Sequence, residues 1–313
     1  MKLAELDRQR WEELLAAAPA ATFFHTAEWA RLWQESYSFF ESCFLVDVEP
    51  EGGYRAGLPF VRARKWLDNY YSMPMGTCGG VVGGGEEAAL YRTWIERTAG
   101  ARRERLVVIS EKEEPALEEL GFQKNVHFSH YLTLPSGGRL KFSRSMEEQV
   151  GTALTAGFSL LRIEKEEDLS RFFSFSGRGR KKDFYSKVFY RKLAAIFLPG
   201  GRALWFLALK EGKTAGYLIG LPFREKLFLW DADFDPVFSG LRPGYFLLAR
   251  TLDWAANKGF KTIDFGQTPA GAEGAALLKE RFGGKRRPTY EYVFAPPLKR
   301  ALRGWYEKLR GRA

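Results

Sequence analysis

Two cysteines, Cys43 and Cys78, in 313 residues exclude a disulfide framework and a cysteine-based zinc site. Both read as buried and inert. Histidine is almost as scarce, with three in the chain. Two of them fall three apart in "HFSH", and a strand turns that spacing to opposite faces, so His127 and His130 do not share a metal. His25, just before a Thr26 helix cap, reads as structural. No apolar run reaches the roughly 18 residues of a membrane helix. The opening "MKLAELDRQRWEELLAAAPA" is charged and amphipathic, unlike a secretion signal, so the expectation is a cytoplasmic globular protein. A G-x-S-x-G nucleophile setting is missing as well. The glycine-rich "GGVVGGGEEAAL" fits neither GxGxxG nor GxxxxGK, and Glu86 and Glu87 already occupy the positive end of the helix it precedes. It reads as a turn, or as a groove floor that lets a substrate approach backbone.

What the chain has is core material and uneven charge. At 45% hydrophobic and 15% aromatic it supplies two ordinary domains. Residues 1–137 carry 15 Lys and Arg against 20 Asp and Glu, a net of −5, whereas residues 138–313 carry 33 against 18, a net of +15. The second half therefore expects an anion: nucleic acid, a phosphorylated cofactor or an acidic membrane surface.

The halves also repeat. "AGLPFVR" at Ala56–Arg62 returns as "IGLPFRE" at Ile219–Glu225, and "HYLTLP" at His130–Pro135 aligns loosely with "EYVFAP" at Glu291–Pro296, at nearly equal offsets. Each copy reads as a hairpin, another strand, a helix, a strand, a helix and a final strand. In the second copy "ALWFLALK", "AGYLIGLPF" and "KLFLWDADF" are strands, and a helix starts at Pro243 and stops at Gly259. "TIDF" is a strand and "GAALLKERFG" a short helix closed by Gly283. Ahead of this copy, Ser145 and Glu148 form a capping box that opens another helix. The expectation is two related α/β units with mixed sheets, 1–137 and 138–313, joined around the turn "PSGGRL".

"FFHTAEW" at Phe23–Trp29, "LPF" with "YYSMPMGTCGGVVG" between Leu58 and Gly83, the helix after "LRPG" at Leu241–Gly244, "IDFG" at Ile263–Gly266 and "LLKERFG" at Leu277–Gly283 occur in an order that resembles the Fem-type tandem GNAT acyltransferases. The resemblance spans nearly the whole chain. It implies two tandem GNAT-like domains, each a mostly antiparallel sheet flanked by helices. It also implies transfer of an acyl group to an amine, with an aminoacyl group from aminoacyl-tRNA going to a peptidoglycan-like, cell-envelope precursor in the best-known branch. No tightly bound cofactor is implied; the donor co-substrate is aminoacyl-tRNA or acyl-CoA. The chain departs from the GNAT pyrophosphate loop [RQ]xxGx[GA] at "RPGYFLLA" from Arg242, and it carries no coiled-coil arm in the second unit. Two alternatives stay open: an acyl-CoA-dependent N-acetyltransferase of a small amine or amino sugar, and a non-catalytic RNA- or envelope-binding protein on the same fold.

Acyl transfer to an amine needs positioning, a group that takes the ammonium proton and a cation or N–H donor for the oxyanion. Lys279 is the candidate cation, placed by the resemblance near the donor's acyl end or phosphates; the bland reading is a solvated lysine. Asp231 and Asp233 in "LWDADFDP" alternate onto one strand face with Leu229 and are candidate bases. Otherwise they are turn or edge solvation. Asp264 points away from Ile263 and Phe265 and reads chiefly as the organiser of the "GQTPAGAEG" loop. Arg242 and Gly244 precede a helix N-terminus, a phosphate site or a plain cap. Arg178, Arg180, Lys181 and Lys182, followed by Lys187, Arg191 and Lys192 among Phe184, Tyr185, Phe189 and Tyr190, suit tRNA or a pyrophosphate-linked acceptor; the alternative is a helix with an aromatic core face. In the tail, Leu298, Leu302, Trp305 and Leu309 share one face of a basic helix over 297–312, fit to dock on its own domain or to rest on an anionic membrane near a lipid-linked acceptor. The donor is expected in the second unit and the acceptor in the cleft between the two.

Overall fold

The structure, a computed structural model, describes residues 1–64, 68–98, 103–135, 140, 142–175, 185–268 and 271–295. The chain begins with α1 (Arg8–Ala17) and α2 (Ala27–Ser36). Then come β1 (Phe40–Val48), β2 (Tyr54–Ala63), β3 (Asp68–Tyr71), β4 (Val82–Gly83), α3 (Glu87–Thr98), β5 (Arg103–Ser110), α4 (Pro115–Glu119) and β6 (Gln123–Thr133). The second half runs α5 (Arg144–Thr155), β7 (Ser159–Arg162), α6 (Leu169–Phe173), α7 (Lys187–Phe197), β8 (Leu204–Lys210), β9 (Lys213–Phe223) and β10 (Lys226–Phe234), and ends with α8 (Pro243–Asn257), β11 (Thr262–Gln267), α9 (Glu273–Arg281) and β12 (Lys285–Phe294). The duplication is visible element by element: β1, β2, β3, α3, β5, α4 and β6 follow the order of β8, β9, β10, α8, β11, α9 and β12.

Contacts group the chain into Met1–His127 with Pro288–Ala313, and Phe128–Arg287. The division thus runs inside β6 and β12 rather than at the turn after Pro135. Its cause is an exchange of last strands. β12 pairs antiparallel with β5, Tyr290 opposite Ser110 through Phe294 opposite Leu106, while β6 pairs antiparallel with β11, Thr133 opposite Thr262 through Ser129 opposite Gln267. Each unit has a mixed sheet. The first is ordered β1-β2-β3-β5-β12, with β4 on β2 and the pair β3–β5 parallel. In the second the order is β7-β8-β9-β10-β11-β6, with β10–β11 the parallel pair.

Parallel strands require a crossover, which α3 and α8 supply. α8 opens at Pro243, whose missing N–H costs nothing at the first helical position, and the chain leaves it through Gly259 at φ 80°. Its buried side, Phe246, Leu247, Leu252 and Ala255, packs with Leu204, Leu218, Leu227 and Ile263 of the sheet and with Met146 and Val150 of α5. The opposite side of the sheet carries aromatics: Phe172 of α6 lies 4.5 Å from Trp205 and 4.9 Å from Tyr217, centroid to centroid. Fully burying each such ring contributes about 1.5–3 kcal/mol. α5 begins two residues earlier than expected. Ser143, not Ser145, accepts from Met146 N–H at 3.3 Å, because this phase turns Met146, Val150 and Ala153 inward.

α9 ends as the "FGG" spelling predicts, with Gly283 at φ 87°. Gly283 N–H donates to Glu280 O and Gly284 N–H to Lys279 O, the paired bonds of a left-handed helix stop. A Cβ on Gly284 would fall 2.7 Å from Lys279 O and 3.2 Å from His130 Cβ, so glycine is required there for α9 to sit against β6.

Candidate functional site

In the second unit the parallel ladder of β10 and β11 is short. It joins Lys226, Leu227 and Phe228 to Thr262, Ile263 and Asp264; past it β10 keeps to β9, Asp231 opposite Ile219, and β11 keeps to β6, Gln267 opposite Ser129, so the two strands part toward their C-terminal ends. A crevice at the carboxyl ends of parallel strands is the usual ligand position in open α/β sheets. β10 is also bulged: its register against β9 shifts between Leu229 and Asp231, leaving Trp230 as the extra residue.

The bulge re-aims the strand. Leu229 stays in the core with Phe246 and Leu247, whereas Asp231 turns to the other side of the sheet, where its Oδ2 accepts from Tyr190 Oη at 2.6 Å and from Tyr217 Oη at 3.0 Å. Simple alternation put Leu229 and Asp231 on one face; the inserted Trp230 separates them. Trp230 packs against Tyr185 at 4.7 Å and Phe189 at 5.7 Å, so the half-buried Asp231 carboxylate sits in an aromatic wall with its orientation fixed by two phenols. Asp233 Oδ1 accepts from the adjacent Phe234 N–H at 2.9 Å, a local turn-like bond.

On β11, Asp264 is 2% exposed and its Oδ1 accepts from Gly266 N–H at 2.8 Å. Gly266 itself is left-handed at φ 70°. Lys279 reaches from α9 to the same turn. Its Nζ donates to Gly266 O at 2.9 Å, Gln267 O at 3.1 Å and Thr268 Oγ1 at 3.0 Å, which accounts for all three ammonium hydrogens. Lys279 is therefore not a solvated lysine. Burial lowers its pKa to about 8, opposed by the nearby Asp264 charge.

Arg242 occupies the residue before α8 with φ 60° and ψ 53°, a left-handed conformation for a non-glycine that costs about 1–3 kcal/mol. The following proline disfavours the right-handed alternative. Its guanidinium lies 5.7 Å from the Tyr245 ring centroid. A Cβ on Gly244 would meet only Phe234, at 3.7 Å, so sterics do not demand glycine at this helix start.

The basic stretch divides. Arg178, Arg180, Lys181, Lys182 and Phe184, like the tail over 297–312, lie outside the described residues. Phe189 and Tyr190 on α7 are buried, with Tyr190 5.9 Å from Trp205 and 4.9 Å from Phe172, so they are core rings with no face left for a base. Lys187 and Arg191 instead lie over Phe173, at 5.9 and 5.7 Å from its centroid.

The corresponding split in the first unit is filled by its own chain. Beyond the ladder of β3 and β5, Ser72 N–H donates to Val107 O and Gly79 N–H to Ile109 O, so the segment 72–80 continues along β5 where the equivalent strands of the second unit part. Beneath it is Glu114, 1% exposed, which takes a bond from Ser110 Oγ at 3.1 Å, with Lys112 Nζ 3.7 Å away and Tyr292 Oη accepting from its N–H at 2.8 Å. Burial, then the Glu87 charge, pushes the Glu114 carboxyl up to about 8. A carboxyl whose folded pKa is raised contributes stability in full below its unfolded value near 4.5, and that contribution is lost as pH rises through about 8. Glu114→Gln, neutral throughout, is expected to match the wild type near pH 5 and to exceed it by about 1–3 kcal/mol at pH 9 in chemical denaturation. A difference independent of pH would contradict this. The glycine-rich run borders a separate groove of about 560 Å³, with an apolar floor at Leu45, Val46 and Leu90 and the charges of Asp47, Arg55 and Glu86 at its margin.

Among the described residues no group of three or more His, Cys, Asp or Glu could hold a metal, and no helix is long and apolar enough to cross a membrane.

Sequence reasoning reached Lys279, Asp264, Asp231 and Asp233 but missed Tyr190 and Tyr217 as the partners of Asp231, and Thr268 as a partner of Lys279. Tyr217 was a polar tip in an otherwise apolar strand, and Thr268 a hydroxyl in a loop of small residues; both were available signals.

Known proteins fit this geometry. Residues 143–275 match the family model described as an acetyltransferase (GNAT) domain. FemX is similar in structure over 95% of this chain and 98% of its own, with a TM-score of 0.72 at 13% identity. A tandem GNAT protein from the clavulanic acid biosynthesis pathway covers 94% and 97%, with a TM-score of 0.61 at 11% identity. The C-terminal domain of an Agrobacterium fabrum protein described as a lysylphosphatidylglycerol synthetase covers 93% and 92%, with a TM-score of 0.60 at 13% identity. No curated protein matches the chain in sequence. The fold is the GNAT fold, and the domain match places an acetyltransferase (GNAT) domain over residues 143–275. Its two-unit build has the fold of FemX and of the tandem GNAT protein.

Proposed function

We propose that this protein transfers an activated acyl or aminoacyl group to an amine at the opening between β10 and β11. The observation that carries the reading is the contrast between the two parallel pairs: β10 and β11 part after Phe228 and Asp264, whereas in the first unit residues 72–80 bond on along β5. The parted ends of β10 and β11 are where we place the donor.

The chemistry follows from the groups that border the opening. The amine attacks the donor's carbonyl carbon, its surplus proton passes to a carboxylate, and the thiolate or ribose oxygen leaves as the tetrahedral intermediate collapses. Asp231 is the proton acceptor we favour, because two phenols fix its orientation, with Asp233 next to it on the strand. Lys279 supplies the cation and holds Gly266–Thr268 as one lip; Asp264 fixes the start of that turn. Arg242 and Gly244, ahead of the positive end of α8, suit the phosphates of the donor.

The acceptor we favour is a phosphorylated or lipid-linked cell-envelope precursor, in keeping with the similarity to FemX and to the domain described as a lysylphosphatidylglycerol synthetase. Aminoacyl-tRNA fits the departure of "RPGYF" from the acyl-CoA loop pattern. A second reading, acyl-CoA as donor, is favoured by the match to acetyltransferase domains. Binding of acetyl-CoA and of charged tRNA, each followed by an assay of amine acylation, tests both. Saturable acetyl-CoA binding without tRNA binding selects the second donor; binding with no transfer to any amine overturns the enzymatic reading.

A further inference from the structure

We propose that His130 is a positioning residue for Lys279, acting through the Thr268 hydroxyl. The inference rests on the reading that Lys279 belongs to the reaction site, but its geometry is independent of the donor. An ammonium only donates, so Thr268 Oγ1 accepts from Lys279 Nζ at 3.0 Å. The hydroxyl's own proton then points to the next acceptor, His130 Nδ1, 3.5 Å away. That assigns the ring proton to Nε2, which faces Glu280 Oε1 at 3.5 Å. Glu280 is in turn held as an anion by Arg286, whose Nε lies 2.6 Å from the same oxygen. The chain of polar groups thus runs Lys279, Thr268, His130, with the Glu280 carboxylate beside Nε2, which is buried and makes no hydrogen bond of its own.

The surroundings keep the chain in this state. His130 is 1% exposed on β6, and Gly284, bare of a side chain, packs on its Cβ. The charged groups around it are Glu280 and Lys279 on α9 and Arg286 on β12. Burial first, and then the Lys279 charge, lowers the His130 pKa below its ordinary value, so around neutral pH the ring is neutral while Lys279 is charged. Thr268 is held in reach by its own N–H, which donates to Phe128 O at 3.3 Å. Protonating His130 turns Nδ1 into a donor. Two cations then donate to one hydroxyl oxygen, and their repulsion weakens the bond from Lys279.

Lysine labelled with ¹³C at Cε, read by NMR in the whole free protein and assigned with Lys279→Arg, tests this without any substrate. In the wild type the Lys279 signal should titrate near the low value its burial imposes, with a second inflection on the acid side of the usual histidine range. Thr268→Val should lower the Lys279 midpoint by about one pH unit, the worth of a hydrogen bond to a charged group. Thr268→Ser should restore it. His130→Asn, whose amide oxygen can still accept from Thr268, should keep the main midpoint and abolish the acid inflection. A midpoint unmoved by Thr268→Val, or an acid inflection that survives His130→Asn, would overturn the proposal. Should His130→Asn fail to fold, the acid inflection in the threonine pair decides: Thr268→Val, which removes the link to His130, should abolish it and Thr268→Ser should restore it, whereas an inflection that persists in Thr268→Val would overturn the proposal. A chain shown to have no transferase activity would leave these titrations unaffected, so the two readings fail separately.

Discussion

Lys279→Met slows acyl transfer by about 10²–10³-fold while the protein stays folded, as expected for losing one preorganised cation at a reaction centre. The side chain is not merely a charge. Its three bonds tie Gly266 O, Gln267 O and Thr268 Oγ1 into one turn at the end of β11. Methionine fills the same volume and removes all three bonds at once. Lys279→Arg should not rescue, because a planar guanidinium cannot converge three donors on that turn. The pH dependence has a definite sign. With Lys279 lowered to about 8, the cation is lost above that value, so transfer should show an alkaline fall near pH 8 that the methionine variant lacks. Stability moves the other way. The cost of burying the charge is present below about 8 and is relieved as pH rises toward 10.5, so the wild type should gain stability relative to Lys279→Met across that window. Rates and denaturation midpoints of both proteins between pH 6 and pH 10 check both signs.

Asp231→Asn is the second large effect. Asparagine keeps an oxygen for Tyr190 and Tyr217 but cannot take a proton, so the aromatic wall stays in place while the base is removed. Loss of a positioned general base costs about 10²–10⁴-fold. The remaining rate should climb with pH as the amine loses its proton unaided. Tyr217→Phe, which removes one of the two phenol bonds, should fall between wild type and Asp231→Asn. Equal rates in wild type and Asp231→Asn would remove Asp231 from the mechanism.

The spelling of the chain carried the order of elements because both copies repeat the same local signals: Pro243 at a helix start, Gly259 and Gly283 at helix stops, apolar strands between turns. The exchange of β6 and β12 was not legible, since pairing partners leave no local mark and the turn after Pro135 looked like any linker. The bulge at Trp230 was hidden for a related reason. Period-two alternation assumes an unbroken ladder, and one inserted residue reverses the face of everything after it, which is why Leu229 and Asp231 part. Aromatic residues misled in α7. Phe189 and Tyr190 look like base-stacking rings beside lysines, yet the sheet face they meet is itself aromatic and takes them into the core. For Lys279 the resemblance gave the residue but not its partners, because three acceptors on one turn become visible only once α9 is set against the end of β11.

Hydrogen exchange of the whole protein with and without donor tests the central claim most directly, using a non-reactive acyl-CoA analogue and a non-hydrolysable aminoacyl-tRNA analogue in parallel. An opening between β10 and β11 that receives the donor predicts new protection over Trp230–Phe234 and Gly266–Thr268 with one of the two, and none over Ser72–Gly80. Protection confined to Ser72–Gly80, or no protection in the second unit with either analogue, would contradict it.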